Sequence, residues 1–143
     1  MGALTASLVV EPDRMSRVPL PATAAVISFI DCINRGDLRG LTELMTDDHT
    51  LVVLDEAPLV GRNASRNAWD GYFSSCPDYV IYPRHVISDG ASVAVLGATS
   101  GSHLDLPDAE ELKLDIVWLA EVVEGRLSLW RVAEDKSAAP GES

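Results

Sequence analysis

The chain has 143 residues and a net charge of −11, because 22 acidic side chains outnumber 11 basic ones. This excess of negative charge excludes nucleic acids and anionic membrane surfaces as partners, because binding either of them requires a cluster of basic side chains. A hydrophobic fraction of 47% fits one globular domain with a buried core. No apolar stretch is long enough to span a membrane.

Both ends of the chain are predicted to lie outside the folded domain. Residues 1–21 carry three prolines and no hydrophobic period, which is typical of a flexible arm. Residues 136–143 are small and polar and are expected to form a disordered tail, so the domain occupies 22–135. Cys32 and Cys76 have no metal or redox spacing and fit unpaired thiols in the cytoplasm.

A pair of helices is predicted at the start of the domain. The apolar residues of the first recur at three- and four-residue steps: Val26, Ile27, Ile30 and Ile33. Gly36 is placed to close this helix in the left-handed conformation, and Asp37 to cap the next one. The second helix has an apolar face formed by Leu38, Leu41, Leu44 and Met45.

The remainder of the chain is predicted to hold five strands and a third helix. That helix begins at Gly61-Arg62-Asn63 and runs to about Ser75. Asp89-Gly90 is a strong signal for a hairpin between two strands. This order of elements predicts an α+β fold. The strands are expected at His49–Asp55, Tyr79–Ser88, Ala91–His103, Glu111–Val123 and Arg126–Glu134.

Three segments resemble the nuclear-transport-factor-2-like superfamily, which includes SnoaL-like cyclases and ketosteroid isomerase. They are AVISFIDCINRGDLRGLTELMTDDHTLVV, the Gly61-Arg62 that opens the third helix, and the ending EGRLSLWRVAED. The resemblance implies a cone in which three N-terminal helices pack on a curved, mostly antiparallel sheet. It also implies an apolar pocket between the helices and the concave face of the sheet.

Strand alternation selects the residues that this implied pocket would contain. Gly97, Thr99 and Gly101 leave open volume on one face of the third strand. The side chains of Trp69, Tyr72 and Trp130 are equally compatible with an aromatic wall for a flat ligand and with plain core. The expected ligand-binding residues are Phe29, Val53, Trp69, Tyr72, Thr99, Val117, Trp130 and Glu134.

Two activities of the superfamily are not expected here. Phe29, Val53 and Val117 occupy the positions that match the donor, base and acid of ketosteroid isomerase, and none carries the required group. The polar triad of the limonene-epoxide-hydrolase type falls near Thr99, Gly101 and Val132 and is also missing. A shared fold does not decide between the remaining functions.

His103 and Asp115 are the candidate catalytic residues. Acidic and histidine side chains on neighbouring strands resemble the acid/base arrangement of the SnoaL-like cyclases, and such a pair could move a proton next to a carbonyl. This predicts an isomerase, cyclase or dehydratase acting on a hydrophobic carbonyl metabolite. The alternative is that both side chains are solvated, which leaves a non-catalytic ligand-binding protein or a dimeric interaction domain.

The long fourth strand also predicts a partner. Its second face is an apolar row that we assign to the outside of the sheet, where a second copy of the chain would cover it to form a homodimer. The row is formed by Leu112, Leu114, Ile116, Trp118, Ala120 and Val122. The three histidines have no paired spacing, and no phosphate-binding loop is present, so we expect no metal and no cofactor.

Overall fold

The structure is a computed structural model that describes residues 20–135; residues 1–19 of the predicted arm and the predicted tail 136–143 lie outside the described residues. Helix α1 (Ala22–Arg35) ends at Gly36 in the left-handed conformation, with φ of 65°. Helix α2 (Leu38–Glu43) begins at Asp37, whose carboxylate accepts a hydrogen bond from the Gly40 amide. Both termini therefore form as the sequence predicts.

One mixed sheet of six strands follows the helix pair. Its strands are β1 (Met45–Val53), β2 (Leu59–Val60), β3 (Val80–Asp89), β4 (Ser92–Ser100), β5 (Ile116–Val123) and β6 (Arg126–Asp135). They lie in the order β2-β1-β6-β5-β4-β3. Strands β1 and β6 are parallel, and the other neighbours are antiparallel. Helix α3 (Arg62–Ser75) follows β2, and the short helix α4 (Asp108–Glu111) precedes β5.

The core lies between the helices and one face of this sheet. Val26, Ile30 and Ile33 of α1 are buried there, whereas Ile27 is 41% exposed. Trp118 of β5 and Trp130 of β6 are nearly inaccessible in the same core. The predicted α+β cone is thus confirmed. Within residues 20–135, no helix has the length and apolar character needed to cross a membrane.

A side chain also fastens the first helix to the sheet. The Asn34 amide nitrogen donates to the Ile81 carbonyl oxygen at 3.0 Å, and its oxygen accepts from the Ile81 amide at 2.7 Å. Asn34 thereby pairs with the backbone of β3 as a neighbouring strand would. It fixes where α1 lies over that edge strand.

The predicted strand Glu111–Val123 is wrong in its first five residues. Glu111 ends helix α4, and β5 starts only at Ile116. The face assignment of this strand is also wrong, because Ile116, Trp118, Ala120 and Val122 are buried in the core. Burying this larger apolar row removes more apolar surface from water than the opposite face could. The argument for a dimer through that row therefore fails.

Candidate functional site

A partly open cavity of about 350 Å³ lies between α3 and the concave face of the sheet. Strands β1 and β6 form one wall, because the register pairs Leu51 with Trp130 and Val53 with Val132. Thr99 of β4 and Trp118 of β5 continue it. Five of the eight residues predicted to bind a ligand line this cavity: Val53, Trp69, Tyr72, Thr99 and Trp130.

Aromatic rings form much of the enclosure. The Trp69 ring meets the Tyr72 ring edge-on at a centroid distance of 6.0 Å. Trp118 and Trp130 are stacked at 6.3 Å. The spacing of Trp69 and Tyr72 on α3 places both on the face that the helix turns toward the sheet. Flat rings in this arrangement favour a ligand with an apolar, planar body.

A hydrogen-bonded pair, Tyr72 and His103, lies on the cavity wall. The Tyr72 hydroxyl is 2.9 Å from Nδ1 of His103 and accepts a hydrogen bond from the His103 backbone amide at 3.2 Å. Burial raises the pKa of Tyr72 to about 12, so the hydroxyl keeps its proton at neutral pH. The contact with His103 suits either imidazole tautomer: Nδ1–H donates to the Tyr72 oxygen and leaves the Nε2 lone pair free, or an unprotonated Nδ1 accepts from the hydroxyl.

The turn after β4 carries His103 to this position. Gly101 adopts φ of 70°, and a Cβ atom there would collide with the backbone carbonyl of Asp78. Only glycine permits this close approach without strain. A Cβ atom at Gly97 would likewise collide with the Tyr82 carbonyl oxygen. The two glycines therefore serve close backbone contacts, and the expectation that they add pocket volume is wrong.

A buried carboxylate, Glu111, lies directly behind the wall. Its side chain is inaccessible to solvent, and its Oε2 accepts a hydrogen bond from the Thr99 hydroxyl at 2.5 Å. Its Oε1 accepts from the Ser102 amide at 3.4 Å. Sequence reasoning missed this residue because Glu111 follows another glutamate in an acidic segment, and nothing local distinguishes it from a surface residue.

The structure does not bring His103 and Asp115 together. His103 pairs with Tyr72, whereas Asp115 is 71% exposed and lies 3.6 Å from an Arg84 guanidinium nitrogen. The reason is the early end of β5, which leaves Asp115 in the segment that leads into the strand. Asp115 does not line the cavity.

Three predicted ligand-binding residues remain. Phe29 is fully buried, 5.0 Å from the Trp130 ring, and supports the wall from behind. Val117 lies on the opposite face of β5 from the core row, so its predicted place in the pocket is wrong. The Glu134 side chain lies outside the described part of the structure.

Unlike the exposed His103, another histidine is buried, and it lies outside the cavity lining. His49 is fully inaccessible. Its Nδ1 donates to the Leu127 carbonyl oxygen at 2.6 Å, and Nε2 has no partner among the described residues. Burial lowers its pKa. Residues 20–135 contain no group of three or more side chains arranged to hold a metal ion.

Comparison with solved structures shows how widely this architecture occurs. SalBIII, an epoxide hydrolase/cyclase-like enzyme in pyran ring formation in the polyether salinomycin, is 24% identical with a TM-score of 0.64; the match covers 78% of this chain and 88% of SalBIII. An NTF2-like protein of unknown function from Cytophaga hutchinsonii is 11% identical with a TM-score of 0.65, over 83% and 94% of the two chains. An LEH-like epoxide hydrolase from M. tuberculosis is 17% identical with a TM-score of 0.64, over 81% and 84%. At these identities the likeness shows the fold alone.

The family itself is shown by sequence. A search of curated proteins found no match. A family model of the SnoaL-like domain, however, matches residues 26–130, which is more than half of the chain. This stretch includes most of the helix pair, most of the cavity wall and five of the six strands in full. The chain therefore belongs to the SnoaL-like domain family.

Proposed function

We propose that the protein binds an apolar, carbonyl-bearing small molecule in the cavity and moves a proton next to the carbonyl, with His103 as the proton-transfer group. The observation that carries this proposal is the hydrogen bond between Tyr72 and His103 on the wall of an aromatic-lined cavity. Family membership supports a small-molecule ligand, and the names of SalBIII and the epoxide hydrolase from M. tuberculosis show that related folds host catalysis.

The cavity suits a compact ligand. Its volume of about 350 Å³ lies within the range of roughly 300–1,000 Å³ that is usual for ligand sites. The rings of Trp69, Tyr72 and Trp130 would cover the faces of a planar body. Removing water from such a ligand provides binding energy in proportion to the apolar area buried.

The proposed chemistry uses the imidazole in both directions. In the tautomer whose proton is on Nδ1 and is donated to the Tyr72 oxygen, the free Nε2 lone pair of His103 takes a proton from the carbon next to the carbonyl, and the electron pair moves onto the carbonyl oxygen as an enolate. The imidazolium then returns the proton to the same or a conjugated carbon, which completes an exchange or an isomerisation. Tyr72 holds the ring by its hydroxyl and by its contact with the His103 backbone.

Proton exchange tests the proposal directly. α-Tetralone, a flat aromatic ketone with acidic hydrogens, is incubated with the protein in heavy water, and deuterium incorporation is followed by NMR. We expect His103→Gln to slow the protein-dependent exchange by about a hundredfold, the lower end of the usual contribution of a general base. His85→Gln is the matched control, since His85 is an exposed histidine on β3.

Exchange that is equally fast in His103→Gln would remove His103 from the mechanism. The alternative function, a non-catalytic ligand-binding protein, is favoured by the exposure of His103 to solvent. It predicts that α-tetralone quenches tryptophan fluorescence saturably while the wild-type protein adds nothing to the exchange rate. Fluorescence and exchange, measured on the same samples, separate the two functions.

We also propose a homodimer through the outer face of the sheet, with a different row of residues from the one predicted. The register aligns Ile87 of β3, Ala94 of β4 and Leu119 of β5 on the face opposite the core, and Ile87 and Leu119 are 59% and 36% exposed. A second copy would bury this row. Leu119→Arg is expected to give a monomer in sedimentation, whereas Val60→Arg, at the opposite edge of the sheet, leaves the mass unchanged. A wild-type monomer contradicts the proposal.

The proposed compartment is the reducing cytoplasm. Cys32 and Cys76 are both free and buried, which supports a protein that does not depend on a disulfide.

A further inference from the structure

We infer that Glu111 fixes the Thr99 hydroxyl as a hydrogen-bond acceptor toward the cavity, so that the site selects ligands carrying a hydroxyl donor, such as a phenol or an enol, on an apolar body. This inference rests on the proposed small-molecule site and specifies its ligand. The observation behind it is the hydrogen bond from Thr99, a cavity-lining residue, to a carboxylate that is wholly buried behind it.

Glu111 is held by two hydrogen-bond donors. Both of its oxygens accept hydrogen bonds, one from the Thr99 hydroxyl and one from the Ser102 amide. No lysine, arginine or histidine among residues 20–135 forms an ion pair with it. A buried carboxylate without a cation is stabilised mainly by such donors, so it holds the Thr99 proton firmly.

A threonine hydroxyl has one proton to donate and two lone pairs that accept. Because the proton of Thr99 points to Glu111, only lone pairs remain for a ligand in the cavity. The Thr99 hydroxyl therefore needs a donor from the ligand.

This arrangement distinguishes ligands of the same shape. A hydroxyl group donates to Thr99, whereas a methyl ether at that position places an oxygen lone pair or a methyl group against the threonine oxygen and leaves the acceptor unpaired. An unpaired buried acceptor is costly, and a difference of 1.4 kcal/mol already corresponds to tenfold in affinity.

The test compares naphthol with its methyl ether, and hydroxybiphenyl with its methyl ether, by titration calorimetry on the full chain. We expect the wild-type protein to bind each hydroxyl compound about tenfold more tightly than its ether. Thr99→Ser, which keeps the hydroxyl, retains this preference. Thr99→Val, which has the same shape without the hydroxyl, removes the part of the preference that is due to the hydrogen bond. Any preference that remains in this variant is due to ligand size.

Glu111→Gln is the decisive variant. Its amide can donate to the Thr99 oxygen and still accept from the Ser102 amide, which releases the Thr99 proton toward the cavity. The ratio of hydroxyl-compound affinity to ether affinity should then fall to the Thr99→Val value. It falls below that value if the released Thr99 proton is donated to the ether oxygen. The inference is overturned if the wild-type protein binds hydroxyl compounds and ethers equally well, or if Glu111→Gln keeps the wild-type preference; the cavity then remains a binding site. Failure of all four probes to bind the wild-type protein overturns the small-molecule site itself.

Discussion

Acidification should destabilise this protein through one buried histidine. His49 is inaccessible, and burial holds its pKa below the ordinary value of 6.5. The unfolded chain binds a proton near 6.5, whereas the folded protein binds it only at lower pH. Between these two values the unfolded state carries one more proton, so stability is complete above pH 6.5 and falls as the pH drops toward the pKa of the folded state.

The size of the effect follows from the proton count. One proton gives a limiting slope of about 1.4 kcal/mol per pH unit. Going from about pH 7.5 to about pH 5.5 should cost about 1.4 kcal/mol, provided that His49 stays neutral in the folded protein. The hydrogen bond from Nδ1 to the Leu127 carbonyl oxygen favours the charged form and opposes the effect, but burial is the larger influence.

Urea unfolding followed by tryptophan fluorescence measures this slope. His49→Gln should flatten it, because an amide can donate to the same carbonyl and does not titrate. His85→Gln, which changes an exposed histidine, should keep the wild-type slope. The reasoning is refuted if His49→Gln loses as much stability between the two pH values as the wild-type protein does.

Two further predictions concern the scaffold, and both are measured as free energies of unfolding in urea. Asn34→Ala removes two hydrogen bonds to the Ile81 backbone and should lower the free energy of unfolding by about 2 kcal/mol. The control, Asn34→Asp, loses only the donor and retains the hydrogen bond from the Ile81 amide. Equal stability of Asn34→Ala and the wild-type protein would contradict the prediction. Gly101→Ala should lower the free energy of unfolding clearly more than Gly36→Ala. At both positions a Cβ atom at positive φ costs about 1–2 kcal/mol, but only at Gly101 would it also collide with the Asp78 carbonyl. Equal losses would show that this close approach does not affect stability.

The sequence predicts the local structure of this protein well where one residue decides it. Gly36 and Asp37 determine the helix junction by their own conformational preferences and hydrogen bonds, and both form as expected. The aromatic wall is likewise found, because Trp69 and Tyr72 lie one turn apart on an amphipathic helix. Their role as ligand-binding residues stays a prediction.

The errors arise where tertiary structure decides. Glu111 is buried by the fold of the segment after Pro107, and its neighbour Glu110, which is chemically identical, is exposed. From the sequence, the row containing Trp118 is assigned to the outside of the sheet, although an uninterrupted apolar row is a strong signal for the core. The Asp115 prediction depended on that same register and failed with it.

The parallel pairing of β1 with β6 has a consequence for how the chain reaches its native state. Strand β6 is central in the sheet and joins the hairpin strands β3, β4 and β5 to β1. A chain that ends before Arg126 therefore lacks the hydrogen bonds of β6 to β1 and to β5. The pair β1–β2 and the strands β3, β4 and β5 are then two separate fragments with open edges. During synthesis, the sheet can close only after nearly the whole domain has left the ribosome, and contacts between residues so far apart in sequence make closure slow. Until then the unpaired edge of β1 is open to other chains, which makes the nascent protein dependent on low concentration or on a chaperone.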